Sequence, residues 1–255
     1  MKEVRMPNIS MIGKRVLLTG GARGLGEMMM RTFSSQGATG VVIDVIAPNE
    51  LPIGWIYIHC DLTDDNSTKN AFASIPEEFR AIDVLLANAG RVPSWSSIAT
   101  TSMQVWDEVM ALNSRALFAT LKESFDLLRK PGGCVVVTAS LNAWKGDGNI
   151  VPYVASKHAA LGIVRSAAID FGKSGIRVNA IAPGPIATEA LLSRVKTRSA
   201  GDEKVFDEAL ERLAQSTALG RLATAEDVAN TVLFLSSELA NGITGQIVNV
   251  DAGVM

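Results

Sequence analysis

Apolar runs and helix-period stretches alternate along most of the chain. The first run, Arg15-Val16-Leu17-Leu18-Thr19, leads into Gly20-Gly21 and a helical stretch over 24–36. Further strand-like runs lie at 40–44, 55–60, 82–87, 134–138, 177–181 and 246–250. Between them fall a polar helical stretch at 65–79, a long one at 102–129, and others at 152–171 and 225–237. The strand-like runs lack the clean apolar–polar alternation of a half-wetted sheet. They predict strands covered on both faces, as in a parallel sheet flanked by helices. Strand, helix, strand repetition predicts a doubly wound α/β (Rossmann) fold of about seven strands. No low-complexity linker or solenoid-length repeat interrupts it, so a single domain over residues 1–255 is expected. Residues 185–219 break the rhythm. They are long, charged and helix-like, and predict a movable lid over a substrate site.

Composition narrows the class. With 255 residues and a hydrophobic share of 47%, the chain can bury a sizeable core. A net charge of −2 leaves no electrostatic footprint for nucleic acid or an anionic membrane. No apolar stretch of signal-peptide length follows Lys2 and Arg5, and runs such as 134–137 are too short to span a bilayer. A soluble, cytoplasmic protein is expected. Cys60 and Cys134 sit in apolar runs and read as small buried hydrophobes of a reducing compartment. A disulfide between them stays open, but one pair is no framework. His59 and His158 have no metal-ligand spacing with them, so no metal is expected.

The turn Thr19-Gly20-Gly21-Ala22-Arg23-Gly24-Leu25-Gly26 follows the first strand and opens a helix. Glycines there permit a tight turn and close backbone approach to a pyrophosphate, while the helix start supplies free N–H groups. The same cluster also reads as a plain structural turn, and only its place between first strand and first helix favours the dinucleotide. Asp44 ends the second strand. A carboxylate there can accept hydrogen bonds from both hydroxyls of an adenosine ribose and would repel a 2′-phosphate. It also reads as a strand-end turn residue. Arg23 pulls the other way, since a basic side chain in the turn can meet a 2′-phosphate. Asp44 is given the greater weight, and NAD is the expected cofactor.

Tyr153 and Lys157 stand four apart in a helical stretch begun by Pro152, so both side chains lie on one face. A phenol titrates near ~10 in isolation, too high for a base at neutral pH, and a nearby ammonium favours the phenolate. Such a phenol can exchange a proton with a substrate oxygen. Alone, the pair also fits an ordinary solvated helix face. Ser140 lies at the end of the preceding strand, thirteen positions before Tyr153, where its hydroxyl can hold the same oxygen. No histidine or acid is placed to make Ser140 a nucleophile, which argues against a hydrolase. Pro93, Trp95, Asn142, Trp144, Ile150, Leu191 and Leu192 are candidate pocket residues, suggesting a moderately apolar ligand. Asn142 can hold one further polar group. Arg194, Lys196 and Arg198 would favour an anion or form a solvated helix face.

Taken together and in order, these residues resemble the short-chain dehydrogenase/reductase family over almost the entire chain. The turn from Thr19 to Gly26 resembles its cofactor turn, including Gly20, Arg23, Gly24, Leu25 and Gly26. Asp61-Leu62 is similar to its adenine-contacting pair, and Asn88-Ala89-Gly90 to its segment after the fourth strand. Ala87 stands where many members have a second asparagine. Asn113 matches the helix asparagine; Ser140, Tyr153 and Lys157 match the catalytic positions. Pro183-Gly184 with Ile186 and Thr188 resembles the segment that clamps the nicotinamide amide. Met28-Met29-Met30 departs from the pattern and reads as core filler.

The resemblance implies that Tyr153 is the proton donor or acceptor. Lys157 lowers its pKa and hydrogen-bonds the nicotinamide ribose, Ser140 positions the oxygen, and Asn113 holds a water relaying protons from Lys157. The expected activity is NAD(H)-dependent interconversion of a secondary alcohol and a ketone. An NADP(H)-dependent reductase and a non-catalytic NAD-binding scaffold or sensor are the alternatives. The four-residue Tyr-to-Lys spacing argues against enoyl reduction, and the chain length against sugar epimerases of the extended branch. The family commonly forms dimers or tetramers through its two long helices. Leu117, Phe118, Leu121, Phe125 and Leu128 recur at helical spacing and face either a partner or only the sheet.

Overall fold

The computed structural model describes residues 9–199 and 201–254, without the side chains of Glu189, Ala190 and Arg194. Seven strands form one parallel sheet: β1 Arg15–Thr19, β2 Thr39–Asp44, β3 Trp55–His59, β4 Val84–Ala87, β5 Cys134–Thr138, β6 Arg177–Pro183 and β7 Ile247–Val250. Their spatial order is β3-β2-β1-β4-β5-β6-β7, the doubly wound arrangement expected from the alternating pattern. Register pairs Leu17 with Val41 on one side and Leu85 on the other.

Burial explains why the strands do not alternate polar with apolar. Successive residues of β1 enter different cores. Leu17 packs with Val41, Leu85, Val135 and Val178 beneath helices α2 (Asp65–Ala73), α4 (Ala116–Ser124) and α5 (Val151–Gly172). Val16 and Leu18 pack with Val42, Leu86 and Val136 beneath α1 (Gly24–Ser35) and α8 (Ala225–Ser236). Both faces are dry over Val16–Leu18, Val41–Ile43, Val84–Ala87 and Cys134–Val137, so successive positions there are apolar. Met29 and Met30 are buried in the second core and Met28 packs against it, as filler residues do.

Three boundaries differ from the pattern. The polar stretch at 65–79 divides at Pro76, which lacks an N–H; α2 ends at Ala73 and a single 3-10 turn covers Glu77–Phe79. The long stretch at 102–129 is not one helix. It holds α3 (Met103–Met110), a π-turn over Ala111–Arg115, and α4. A π-turn continues the helix without a break in helix-forming residues, so the stretch reads as one helix. Finally, 185–219 resolves into α6 (Glu189–Arg198) and α7 (Glu203–Gln215), capped by Thr188 and Asp202. None of α7's described residues is buried.

The helix stripe divides as well. Leu117, Leu121 and Leu128 are buried and Phe125 packs against the same core, while Phe118 is exposed. Cys60 and Cys134 are buried free thiols, and burial pushes both up from the ordinary thiol range. Among the described residues no helix is long and apolar enough to cross a membrane, and no cluster of three acid, His or Cys ligands is placed to hold a metal.

Candidate active site

The matched residues gather at the carboxyl edge of the sheet, where the chain order reverses between β1 and β4. Open α/β sheets bind their ligands at such a switch point. Thr19, Asp44, Ala87, Thr138 and Pro183 each end a strand there. A cavity of about 580 Å³ lies elsewhere, lined by Lys14, Asp83, Arg129 and Arg177 at the strand starts, and contains none of these residues.

Two glycines of the turn have no room for a side chain. A Cβ on Gly26 would stand 2.0 Å from the Gly20 carbonyl oxygen, and one on Gly20 2.7 Å from Ala89 Cα. Gly20 and Gly24 also adopt positive φ, which favours glycine. The turn is thus packed against the segment after β4 while α1 opens with no side-chain cap from Arg23. Arg23 and Gly24 are exposed; Leu25 packs partly on the second core. Free N–H groups at an uncapped helix start, reached over glycine backbone, suit a pyrophosphate.

Asp44 does two things. Its Oδ2 accepts from Ala22 N–H at 3.0 Å and its Oδ1 from Ile46 N–H at 3.3 Å, so it braces the turn. A carboxylate has further acceptor capacity, which leaves it able to receive ribose hydroxyls. Tyr57 O–H fixes the Asp44 carbonyl at 3.2 Å. Asp61 is exposed beyond β3, and bonds from the Thr63 hydroxyl and N–H hold its carboxyl below the usual range. Leu62 is buried in the first core. Of that pair, only Asp61 presents its side chain outward.

A continuous hydrogen-bond chain runs from the turn to the lysine. Asn88 Nδ2 donates to Gly20 O at 2.8 Å, and Thr138 Oγ1 donates to Asn88 Oδ1 at 2.9 Å. Lys157 Nζ donates to Thr138 O at 2.8 Å. Thr19 Oγ1 accepts from the N–H groups of Asn88 and Ala89 at 3.2 and 3.3 Å, locking β1 to the segment after β4. Thr19 opens the turn read from the sequence, where nothing assigned its side chain a partner; Thr138 was absent from that reading. The signal was available: each is a hydroxyl closing an otherwise apolar strand run.

Lys157 Nζ lies 5.6 Å from the Tyr153 ring centroid, confirming that the four-residue spacing puts both on one face. Burial pushes the Lys157 ammonium down to about 8. Tyr153 is half-buried, and Ser140 is buried at the end of the β5 segment. Ser140 Oγ accepts from Asn142 N–H at 3.2 Å and donates to Asn142 Oδ1 at 3.4 Å.

Asn113 falls in the π-turn. Its Nδ2 donates to Arg91 O at 2.9 Å and to Ser156 Oγ at 3.0 Å, while its Oδ1 accepts from Arg91 N–H at 2.9 Å. Both amide hydrogens are therefore committed. A Cβ on Gly90 would meet Asn113 Oδ1 at 3.3 Å and Lys157 Nζ at 3.7 Å, so both groups border this glycine. Ser156 Oγ donates to Tyr153 O at 2.7 Å and thereby ties the π-turn to α5. Ser156 was also missed; a hydroxyl one turn after Tyr153 was its only trace.

Pro183 is buried, and Gly184 N–H donates to Val250 O at 3.1 Å, with no space for a Cβ beside Asp251. Ile186 is buried in the second core, and Thr188 caps α6. Of the pocket candidates, Pro93 and Ile150 are buried, whereas Trp95 and Trp144 are exposed at the rim. Arg198, in the last turn of α6, stacks over the Trp95 ring at 4.1 Å. Lys196 is exposed, and the Arg194 side chain lies outside the described residues.

Comparison with known proteins gives the family and the fold. Residues 20–255 match a family model described as Enoyl-(Acyl carrier protein) reductase. The chain is 34% identical over 254 residues to a mitochondrial (-)-isopiperitenol/(-)-carveol dehydrogenase of Mentha piperita, covering 95% of this chain and 93% of that protein. It is 31% identical to the secoisolariciresinol dehydrogenase of Forsythia intermedia, covering 94% and 88%. The ligand-free aldohexose dehydrogenase of Thermoplasma acidophilum superposes with a TM-score of 0.89 at 27% identity, covering 96% of this chain and 94% of that one. With the switch-point turn, the Ser140, Tyr153 and Lys157 set and these full-length matches in hand, the chain belongs to the short-chain dehydrogenase/reductase family.

Proposed function

We propose that this protein is an NAD(H)-dependent oxidoreductase that interconverts a secondary alcohol and a ketone on a small, moderately apolar molecule. The observation that carries this is the buried Lys157 ammonium, bonded to Thr138 O and 5.6 Å from the Tyr153 ring. In reduction Tyr153 gives its phenolic proton to the carbonyl oxygen; in oxidation it takes one from the alcohol. The nicotinamide, when bound, delivers or accepts the hydride. Ser140 holds the reacting oxygen, exchanging its long bond to Asn142 for one to substrate. Lys157 stays mostly charged at neutral pH, favours the phenolate, and has further N–H donors for a ribose hydroxyl.

Asn113 serves the relay through its acceptor side. With both amide hydrogens spent, a relay water would donate to Oδ1 and accept from Lys157 beside Gly90. The turn residues Gly20, Arg23, Gly24, Leu25 and Gly26 would hold the pyrophosphate. Asp44 would take the ribose, Asp61 and Leu62 the adenine side, Asn88, Ala89 and Gly90 the crevice, and Pro183, Gly184, Ile186 and Thr188 the amide end. Tyr153→Phe keeps the ring and removes the proton donor, so turnover should fall by at least ~10²-fold. Near-normal turnover in that variant would overturn the assignment.

Asp44 supports NAD over NADP, because a 2′-phosphate would meet its carboxylate. Exposed Arg23 at the start of α1 favours the opposite reading. Steady-state rates with both cofactors decide, and a strong NADP(H) preference would reverse the proposal. Cofactor binding without turnover across alcohols and ketones would favour a scaffold instead.

Helices α6 and α7 would act as the lid, with Arg198 on Trp95 as its contact to the site rim. Phe118 and Ile169, exposed on α4 and α5, support a homodimer or tetramer through these helices. A monomer in light scattering contradicts that. The buried thiols suit a reducing compartment, and the cytoplasm is the proposed one.

A further inference from the structure

We infer that Asn142 is a specificity-determining residue that selects ketones carrying a second acceptor oxygen on the carbon next to the carbonyl. This rests on the alcohol–ketone reading above. Asn142 follows Ser140 in the 3-10 turn Leu141–Ala143, where two contacts to Ser140 hold it, and the backbone one persists when Ser140 turns its hydrogen to substrate. Its N–H donates to Ser140 Oγ at 3.2 Å, and its Oδ1 accepts from Ser140 Oγ at 3.4 Å. The other end of the same carboxamide, Nδ2, is buried and has no hydrogen-bond partner among the described residues.

A dry, unpaired amide donor is uncommon in a folded chain, and each one calls for a partner or a function. This one is a carboxamide's width from an atom bonded to the catalytic hydroxyl. Ser140 positions the reacting oxygen, so the donor falls within reach of the neighbouring carbon's substituent. A pure acceptor there, an ether or carbonyl oxygen, would satisfy Nδ2 without contest from water. A substrate with a methylene at that place leaves the donor unpaired. Sites built to pair a polar group discriminate against the analogue that lacks it. The exposed Trp144, which ends the same 3-10 turn, suits a ring-sized substrate bearing one such oxygen.

The test compares α-methoxycyclohexanone with α-ethylcyclohexanone, which differ by oxygen against methylene at nearly equal shape. Both are reduced with NADH by the wild type, Asn142→Leu and Asn142→Asp. The ratio of the two kcat/KM values is the readout, because any disturbance of Ser140 acts on both ketones and cancels. The wild type should prefer the methoxy ketone by roughly 5- to 100-fold, the range for pairing one otherwise orphaned donor. The ratio should fall towards unity in Asn142→Leu. It should fall as far or invert in Asn142→Asp, which keeps the size and the acceptor towards Ser140 but lacks the donor. No preference in the wild type, or a preference that survives both substitutions, overturns the inference and leaves the reductase intact. A wild type that reduces neither of these nor any ketone of a broad panel overturns the underlying reading, and this inference with it.

Discussion

Replacing Lys157 by methionine should stabilise the protein's response to acid conditions relative to alkali while abolishing its turnover. Methionine keeps the apolar stem and removes the buried charge. In the folded protein the ammonium lies at about 8, against 10.5 for a free lysine, with burial as the cause. That difference corresponds to about 3 kcal/mol of destabilisation wherever both states would be protonated. The sign follows from proton counts. Between about 8 and 10.5 the unfolded chain holds more protons than the folded one, so wild-type stability rises with pH across that window. Below about 8 the whole cost is present. The substitution also leaves Thr138 O without its donor, a loss of about 1–3 kcal/mol that does not vary with pH.

At pH near 7 the two effects should nearly cancel or leave Lys157→Met more stable by up to about 2 kcal/mol. The pH dependence is the sharper quantity. From about pH 7 to about pH 10 the wild type should gain about 2–3 kcal/mol relative to the variant. Urea unfolding of both proteins without added nicotinamide cofactor, at several pH values and with unchanged m, measures it. A wild-type-minus-variant difference that stays flat over this range would refute the claim that Lys157 is a dry, destabilised ammonium.

The other predictions follow from the same network. Thr19→Val preserves shape but leaves the N–H groups of Asn88 and Ala89 without their acceptor; a loss of about 1–3 kcal/mol in urea and a raised KM for cofactor are expected, and a wild-type midpoint would contradict the lock. Gly26→Ala places a methyl on the Gly20 carbonyl, so the turn must shift; fluorescence titration should find NADH affinity reduced by roughly 5- to 150-fold, the effect of about 1–3 kcal/mol of overpacking, and unchanged affinity would contradict the close packing. In the oxidative direction, kcat/KM should stop rising with pH as the Lys157 ammonium loses its proton near about 8, and a profile that climbs unbroken to about pH 10 would separate Lys157 from the chemistry.

Much of the site was legible in the chain before its fold was known. Gly20 and Gly26 could be read because a turn without room for Cβ atoms selects glycine at fixed spacing. Tyr153 and Lys157 could be read because four residues are one helical turn. Asp44 was legible only in part: its place at the end of β2 suggested a ribose acceptor, but its bond to Ala22 N–H spans 22 residues and no local pattern encodes it. Asn113 was found by resemblance, yet the π-turn that carries it is invisible to periodicity. Its bonds to Arg91 O and Ser156 Oγ, which commit both amide hydrogens, are equally absent from any local pattern.

By itself, then, the sequence determined the parallel sheet, the switch-point turn and the facing Tyr153–Lys157 pair. Each depends on burial or backbone geometry repeating over a few residues. Only the tertiary structure decided how these pieces are joined. Asn88 reaches Gly20 across 68 residues, Thr138 reaches Asn88 across 50, and Lys157 reaches Thr138 across 19. Such bonds depend on which strands lie side by side. They leave no period in the chain, and so Thr138, Ser156 and the partners of the Thr19 hydroxyl emerged only when β1, β4, β5 and α5 were brought together.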